Sequence, residues 1–213
     1  MKNVQMVVAA VLGLVLVNSP ALAQAPSMSF FVTSVGSGDG GNLGGLIGAD
    51  AHCQQLASAV GAGNKSWVAY LSQSQRAVTI NARDRIGDGP WYSPTSIKVA
   101  DNVEDLHSDS SNVTGRTSLT ERGEAVSNHD ILTGSQPDGT AFPFAMMDML
   151  DFDEHTMTCG NWTSNSSEHW AMIGHSDRDG SVGFSSWNGA HPIRSCNEAD
   201  GGTGFLFYCF AID

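Results

Sequence analysis

The sequence predicts an α+β fold with a β-rich core and one substantial helix. Residues 204–212, near the end of the chain, are apolar at nearly every position, which is typical of a central strand buried on both faces. Apolar residues recur at helical spacing most clearly over residues 49–60. Shorter runs of β-branched and aromatic residues lie before and after this helix and favour strands.

The first 23 residues have the features of a signal peptide. Lys2 precedes an apolar run over residues 6–17 that is too short to span a bilayer comfortably, and Ala21-Leu22-Ala23 is a small-residue cleavage site. We therefore expect cleavage after Ala23 and export to the periplasm or the extracellular space. No later segment is apolar for long enough to insert into a membrane, and residues 24–213 are expected to form a single domain.

The charge of the chain limits its partners. Lys and Arg number 10 against 22 Asp and Glu, so the formal net charge is −12. A surface this acidic repels nucleic acid and anionic lipid, and it disfavours heparin-like polyanions. Cations, basic surfaces and neutral ligands such as sugars are the favoured partners.

The first half of the mature chain divides into a strand, a loop, a helix and a second strand. Residues 29–35 predict the first strand, and the glycine-rich residues 36–45 predict a flexible surface loop. That loop contains a Gly-x-Gly-x-x-Gly pattern, but no βαβ periodicity follows it as dinucleotide binding would require. The helix over residues 49–60 should end at Gly61, and residues 67–71 predict the next strand.

The remaining elements are short and separated by loops. The sequence predicts a turn-rich loop over residues 84–92, a short helix from Asp101 to Leu106, an exposed loop over 108–128, strands over 129–134, 170–174 and 181–187, and a turn over 177–180.

Four cysteines in an exported chain predict two disulfide bonds. The count alone allows three ways of pairing Cys53, Cys159, Cys196 and Cys209. Free thiols are disfavoured in an oxidising compartment.

Several short blocks resemble the endostatin domain of collagens XV and XVIII. The blocks are Asn42-Leu-Gly-Gly-Leu-Ile-Gly-Ala-Asp-Ala-His-Cys53, Ala59-Val-Gly-Ala-Gly63, Trp67-Val-Ala-Tyr-Leu-Ser72, Gly134-Ser-Gln-Pro-Asp-Gly139, Cys159-Gly-Asn-Trp162, Cys196 and Phe207-Tyr-Cys209. The resemblance spans roughly residues 30–213. It implies a C-type-lectin-like fold with a mixed, strongly twisted sheet, a flanking helix and nested disulfides, Cys53–Cys209 and Cys159–Cys196.

The sequence departs from that family where its animal members bind their ligands. Those members bind zinc through an N-terminal histidine cluster, whereas residues 24–29 contain no histidine. They also bind heparin through an arginine patch, whereas this chain is acidic. The resemblance therefore implies the scaffold and neither activity.

One tripeptide indicates sugar binding. Gln136-Pro137-Asp138 resembles the motif by which sugar-binding C-type lectins select galactose through a calcium ion. The partner motif in those lectins is Trp-Asn-Asp, and here Trp187-Asn188 is followed by Gly189, which removes a carboxylate ligand. A plain Pro-Asp-Gly turn is the alternative. We expect sugar binding to require no cofactor, with calcium as a possible one.

Two acidic segments are weaker candidates for a metal site. Asp177 and Asp179 are spaced as in a calcium loop but lack its other ligands, and an Asp-Gly hairpin turn is the alternative. Residues 148–155 hold four carboxylates and a histidine, a composition that is also typical of a solvated surface. The seven histidines show no metal-ligand spacing.

Tryptophan faces offer a second route to sugar binding. The candidates for sugar stacking are Trp91, Trp162, Trp170 and Trp187, with packing in the core as the alternative. Trp91, in a Gly-Pro-Trp-Tyr loop, is the one expected to be exposed. The candidate ligand-binding residues are therefore Trp91, Gln136, Asp138, Trp187 and Asn188.

These features favour an exported, non-catalytic binding module that recognises a cell-envelope or extracellular glycan, or a protein partner. No nucleophile elbow, zinc-protease motif or phosphate loop is present. The alternatives are an extracellular enzyme acting on a polymer and a purely structural envelope protein.

Overall fold

The computed structural model describes residues 27–74, 78–143, 157–178, 185–197 and 204–213, which form a mixed α+β structure with mostly sheet and few helices. The strands are β1 (Phe30–Val32), β2 (Trp67–Ala69), β3 (Gln73–Ser74), β4 (Thr79–Ile80), β5 (Trp91–Tyr92), β6 (Lys98–Ala100), β7 (Asp130–Leu132), β8 (Ala171–His175), β9 (His191–Ile193) and β10 (Leu206–Ala211). The helices are α1 (Gly45–Ala59) and α2 (Val103–Leu106), a 3-10 turn covers Ala82–Asp84, and Cys159–Trp162 forms a left-handed turn in which every φ is positive.

Strand β10 organises the main sheet. It pairs antiparallel with β1 and β2 and parallel with β7, and the sheet continues through antiparallel pairs to β8 and β9. All six residues of β10 are buried. The prediction of a central buried strand over residues 204–212 is therefore confirmed, and the single parallel pair makes the sheet mixed.

The two faces of β10 belong to two hydrophobic clusters, because successive side chains of a strand point to opposite faces. Phe207 and Cys209 pack in the first cluster with helix α1. Tyr208 and Phe210 pack in the second cluster, which holds four aromatic side chains from elsewhere in the chain. Those four are Phe30, Tyr70, Trp91 and Trp187.

Helix α1 packs one stripe of side chains against the first cluster. Its buried residues are Ala49, Cys53, Leu56 and Ala57, at the spacing of one helical face. The helix begins at Gly45, earlier than the sequence predicts, and ends at Ala59. Gly61 follows with a φ of 84°, the left-handed conformation that favours glycine after a helix.

Two disulfides join distant parts of the chain in the nested arrangement. Cys53 on α1 pairs with Cys209 on β10, and Cys159 pairs with Cys196, each with Cα atoms 5.6 Å apart. Gly41 lies so close to the second bridge that an added Cβ would stand 2.4 Å from Cys159 Sγ. A side chain at this position would therefore displace the disulfide.

Three segments predicted as loops contribute to the core. Residues 84–92 contain β5, and residues 36–45 bury Gly36, Gly40 and Gly41. Residues 108–128 form no strand, but Val113, Thr117 and Glu121 are buried. The prediction of an exposed loop over 108–128 is therefore wrong. Glu121 is tolerated there because its carboxylate accepts hydrogen bonds from the amide and hydroxyl of Ser34, at 3.0 and 2.6 Å.

Some predictions fall outside the described residues. These are the signal peptide over residues 1–23, the acidic segment over 148–155, Asp179, and most of the strand predicted over 181–187. Residues 185–187 are not in a strand. Among the described helices, none combines the length and apolar character needed to cross a membrane. Two disulfides fit a periplasmic or extracellular location.

Candidate functional site

The fold brings together two segments that lie about fifty residues apart in sequence, Gln136–Asp138 and Trp187–Asn188. The Asn188 side-chain amide donates hydrogen bonds to the carbonyl oxygens of Gln136 and Pro137, each at 3.2 Å. Gly189 allows this approach, because an added Cβ there would lie 2.9 Å from Pro137. The structure thus places four of the five predicted ligand-binding residues in one region.

A buried network of hydrogen bonds through Tyr70 and His107 fixes the position of the Asn188 side chain. Its amide also donates to Tyr70 Oη at 2.8 Å, and Tyr70 Oη lies 2.7 Å from His107 Nε2. His107 Nδ1 lies 2.7 Å from the carbonyl oxygen of Val103, so this nitrogen carries the proton and Nε2 accepts from the tyrosine. Burial raises the pKa of Tyr70 far above its usual value. The tyrosine therefore remains a neutral donor throughout the physiological pH range.

A cleft of about 220 Å³ opens beside this network. Its lining includes His107, Asp109, Pro137, Arg178, Ser186 and Trp187. A carboxylate, a guanidinium, hydroxyls and an aromatic edge thus surround one small concavity. Such a lining combines a few fixed polar groups with an apolar wall, as sites for small polar ligands do.

The Asp138 carboxylate stabilises the turn that precedes the cleft. Its Oδ1 accepts hydrogen bonds from the amide and hydroxyl of Thr140, at 2.9 and 2.6 Å. The hydroxyl bond is the main reason that the pKa of Asp138 is lowered. The Pro-Asp-Gly turn that the sequence offered as an alternative is thus formed, with Gly139 at a φ of 83°.

His107 gives this region a measurable pH dependence. Burial lowers the pKa of His107 below its usual 6.5, and the positive charge of Arg83 acts in the same direction. Just below pH 6.5 the His107 imidazole is protonated in the unfolded chain but still neutral in the folded chain. The free energy of unfolding therefore falls as the pH drops from about 6.5 through the folded-state pKa. We expect an NMR titration of the His107 ring to have its midpoint below 6.5. A midpoint at or above 6.5 would contradict the neutral, tyrosine-bonded imidazole.

Trp91 lies elsewhere, and the prediction that it is exposed is wrong. The side chain is fully buried, and its ring packs edge-on against Phe210 with centroids 5.4 Å apart. The Trp91 side chain points into the core even though its neighbours, Gly89 and Pro90, are residues typical of loops. Trp187 and Asn188 are also buried, so only their edges border the cleft.

The predicted calcium loop is only partly described, since Asp179 lies outside the described residues. The Asp177 carboxylate contacts an imidazole: both of its oxygens lie 3.3 Å from His129 Nδ1. His129 belongs to a group of histidines that sequence spacing did not reveal, because its members His129, His175 and His191 come from a loop and two strands. Cross-strand register is the signal that brings them together, and a single sequence does not supply it.

No family model matches the chain, and no curated protein matches it. The resemblance to endostatin domains therefore stays a prediction.

Proposed function

We propose that the protein is an exported, non-catalytic binding module that recognises a neutral or cationic glycan of the cell envelope or the extracellular space. We further propose that its fold is C-type-lectin-like and similar to the endostatin domain. The nested disulfides, the mixed sheet and the helix that follows the first strand support this assignment.

The observation that carries the functional proposal is the convergence of Gln136–Asp138 and Trp187–Asn188 beside one polar cleft. Pro137, Trp187 and Asn188 line this cleft, whereas Gln136 and Asp138 do not. Sugar hydroxyls need closely spaced donors and acceptors held in fixed positions. The cleft supplies the carboxylate of Asp109 and the guanidinium of Arg178. The guanidinium is held by a hydrogen bond from Arg178 Nη1 to the carbonyl oxygen of Ser111, at 2.9 Å.

Recognition is proposed to occur by direct hydrogen bonds. In the lectin motif the asparagine would supply an oxygen to calcium, but Asn188 is buried and its Oδ1 accepts a hydrogen bond from Ser186 Oγ at 2.9 Å. One oxygen of Asp138 is likewise committed to Thr140. The proposed recognition of the glycan therefore does not require calcium, and glycan binding is measured both with and without it.

A glycan array tests the proposal, run with and without Ca²⁺ on the parent, Asp109→Ala and Glu124→Ala. Asp109 is exposed in the cleft, and Glu124 is an exposed carboxylate that does not line it. Losing a charged hydrogen bond costs about 1.5–3 kcal/mol, so Asp109→Ala should weaken the retained glycan about tenfold or more. Glu124→Ala should bind as the parent does.

Two results would count against the proposal. Retention of no glycan under either condition would leave a protein partner as the better reading. Equal binding by the parent and Asp109→Ala would place the glycan elsewhere on the surface.

A further inference from the structure

We infer that His129, Asp130 and His175 form a binding site for a transition-metal ion such as Zn²⁺. None of these residues lines the proposed glycan cleft, although the His175 backbone is hydrogen-bonded to Ser186 and Arg178 at its edge, and the inference does not depend on the glycan proposal. One ligand atom from each of the three residues lies within 4.8 Å of the other two.

The sheet register assembles the site. Asp130 begins β7, and its cross-strand partner on β8 is His175. Leu132 and Ile173, two residues farther along the same strands, both pack in the first hydrophobic cluster, so Asp130 and His175 project from that same face. The His129 ring stacks on the His175 ring, with centroids 4.3 Å apart and planes inclined by 8°.

Two of the three separations between the ligand atoms match the edges of a metal tetrahedron. Asp130 Oδ1 lies 3.3 Å from His129 Nε2 and 3.4 Å from His175 Nε2. Zinc bonds of 2.0–2.1 Å in tetrahedral geometry place neighbouring ligand atoms about 3.3–3.4 Å apart. His191 Nε2 lies farther away, 4.0 Å from the same oxygen, and borders the site.

Asp130 Oδ1 is buried and accepts no hydrogen bond from the described part of the chain. Its two close imidazole neighbours therefore approach it without hydrogen-bond geometry. A buried carboxylate oxygen in this position needs a positive partner, because an unpaired one costs several kcal/mol. A cation held between the oxygen and the two nitrogens would give Asp130 Oδ1 that partner.

The contact of His129 with Asp177 supports the same reading. Its Nδ1 lies 3.3 Å from both carboxylate oxygens of Asp177, so this nitrogen carries the proton in the neutral ring. In this tautomer the Nε2 lone pair faces Asp130 Oδ1 at 3.3 Å, and a cation between these two atoms would bind both. A carboxylate on the far nitrogen is the usual second-shell partner of a metal-bound histidine.

The donor set selects the class of metal. Two imidazole nitrogens and one carboxylate suit zinc and its neighbours in the first transition row, whereas calcium and magnesium prefer oxygen ligands alone. The net charge of −12 also favours cations at the surface. Exposure of 44% at the His129 side chain and 32% at Asp130 leaves an entry path for the ion.

Calorimetric titration with Zn²⁺ tests the inference on the exported protein, purified without a polyhistidine tag and stripped with a chelator. We expect one Zn²⁺ per chain and a rise in the unfolding temperature when zinc is bound. Asp130→Asn and His129→Gln should each weaken binding at least about tenfold, since even second-shell changes cost 10- to 100-fold. His52→Gln, on helix α1, is the matched control and should bind as the parent does.

His129 is exposed, so His129→Gln keeps the test valid if Asp130→Asn fails to fold. Replacement of zinc by Co²⁺ should give the intense visible absorption of a tetrahedral site in the parent and in His52→Gln. The inference is overturned if the parent binds no zinc, if both site variants bind it as tightly as the parent, or if Ca²⁺ competes at similar concentrations.

Discussion

Replacing Cys53 and Cys209 together with alanine is expected to lower the free energy of unfolding by about 5 kcal/mol. The bridge joins residues 156 positions apart, and in the chain-entropy model a longer loop gives the larger stabilisation. It also ties helix α1 to strand β10, which pairs with three other strands. Without this bridge, the contact between helix and sheet depends on hydrophobic packing and on the hydrogen bonds that the β2 amides of Trp67 and Ala69 donate to the side chains of Gln54 and Asp50.

The Cys159–Cys196 bridge provides the matched comparison. It spans 37 positions, so the same model gives about 4 kcal/mol for the double alanine variant. Urea unfolding of both double variants beside the parent measures the difference directly. A larger loss from the shorter loop would contradict this ranking and would mean that local packing around Gly41 and Cys159 dominates.

Trp91→Ala is expected to lower the free energy of unfolding by about 3–5 kcal/mol, the usual cost of deleting a large buried aromatic ring. Trp91 is fully buried in the cluster that also holds Phe30, Tyr70 and Phe210. Trp91→Phe should cost much less, because the indole Nε1 makes no hydrogen bond within the described residues. That variant keeps an aromatic ring beside Phe210.

The same variants decide between a core role and a ligand-binding role for Trp91. Chemical denaturation gives their stability, and glycan binding is measured under conditions in which each variant is folded. Folded Trp91→Ala should bind the glycan as the parent does. Parental stability combined with lost glycan binding would instead restore Trp91 as a contact residue.

The elements that the sequence predicted well are those whose hydrophobic pattern is set by burial. Strand β10 is apolar on both faces because it separates two clusters, and helix α1 shows its buried stripe directly in its spacing. Residues 108–128 were predicted poorly for the opposite reason. Their buried positions include Thr117, Ser118 and Glu121, whose polar side chains give no hydrophobic signal.

The candidate sites likewise include residues that the sequence reveals and residues that only the fold reveals. The tripeptide Gln136–Asp138 and the pair Trp187–Asn188 could be found from sequence, because each is a short contiguous motif. The inward orientation of Trp91 could not, since Gly-Pro-Trp-Tyr is equally compatible with an exposed loop. The group of His129, Asp130 and His175 depends on which residues pair across β7 and β8, and that pairing is a property of the folded sheet.

We propose that the polar cleft beside Asn188 recognises a glycan. The most direct measurement is an NMR titration of ¹⁵N-labelled protein with the oligosaccharide that the array retains. The largest shifts are expected at the backbone amides of His107 and Asp109 and at the indole N–H of Trp187, which donates to the carbonyl oxygen of Leu106 at 3.1 Å. Shifts confined to residues outside the cleft, such as Tyr92 and Lys65, would contradict the claim.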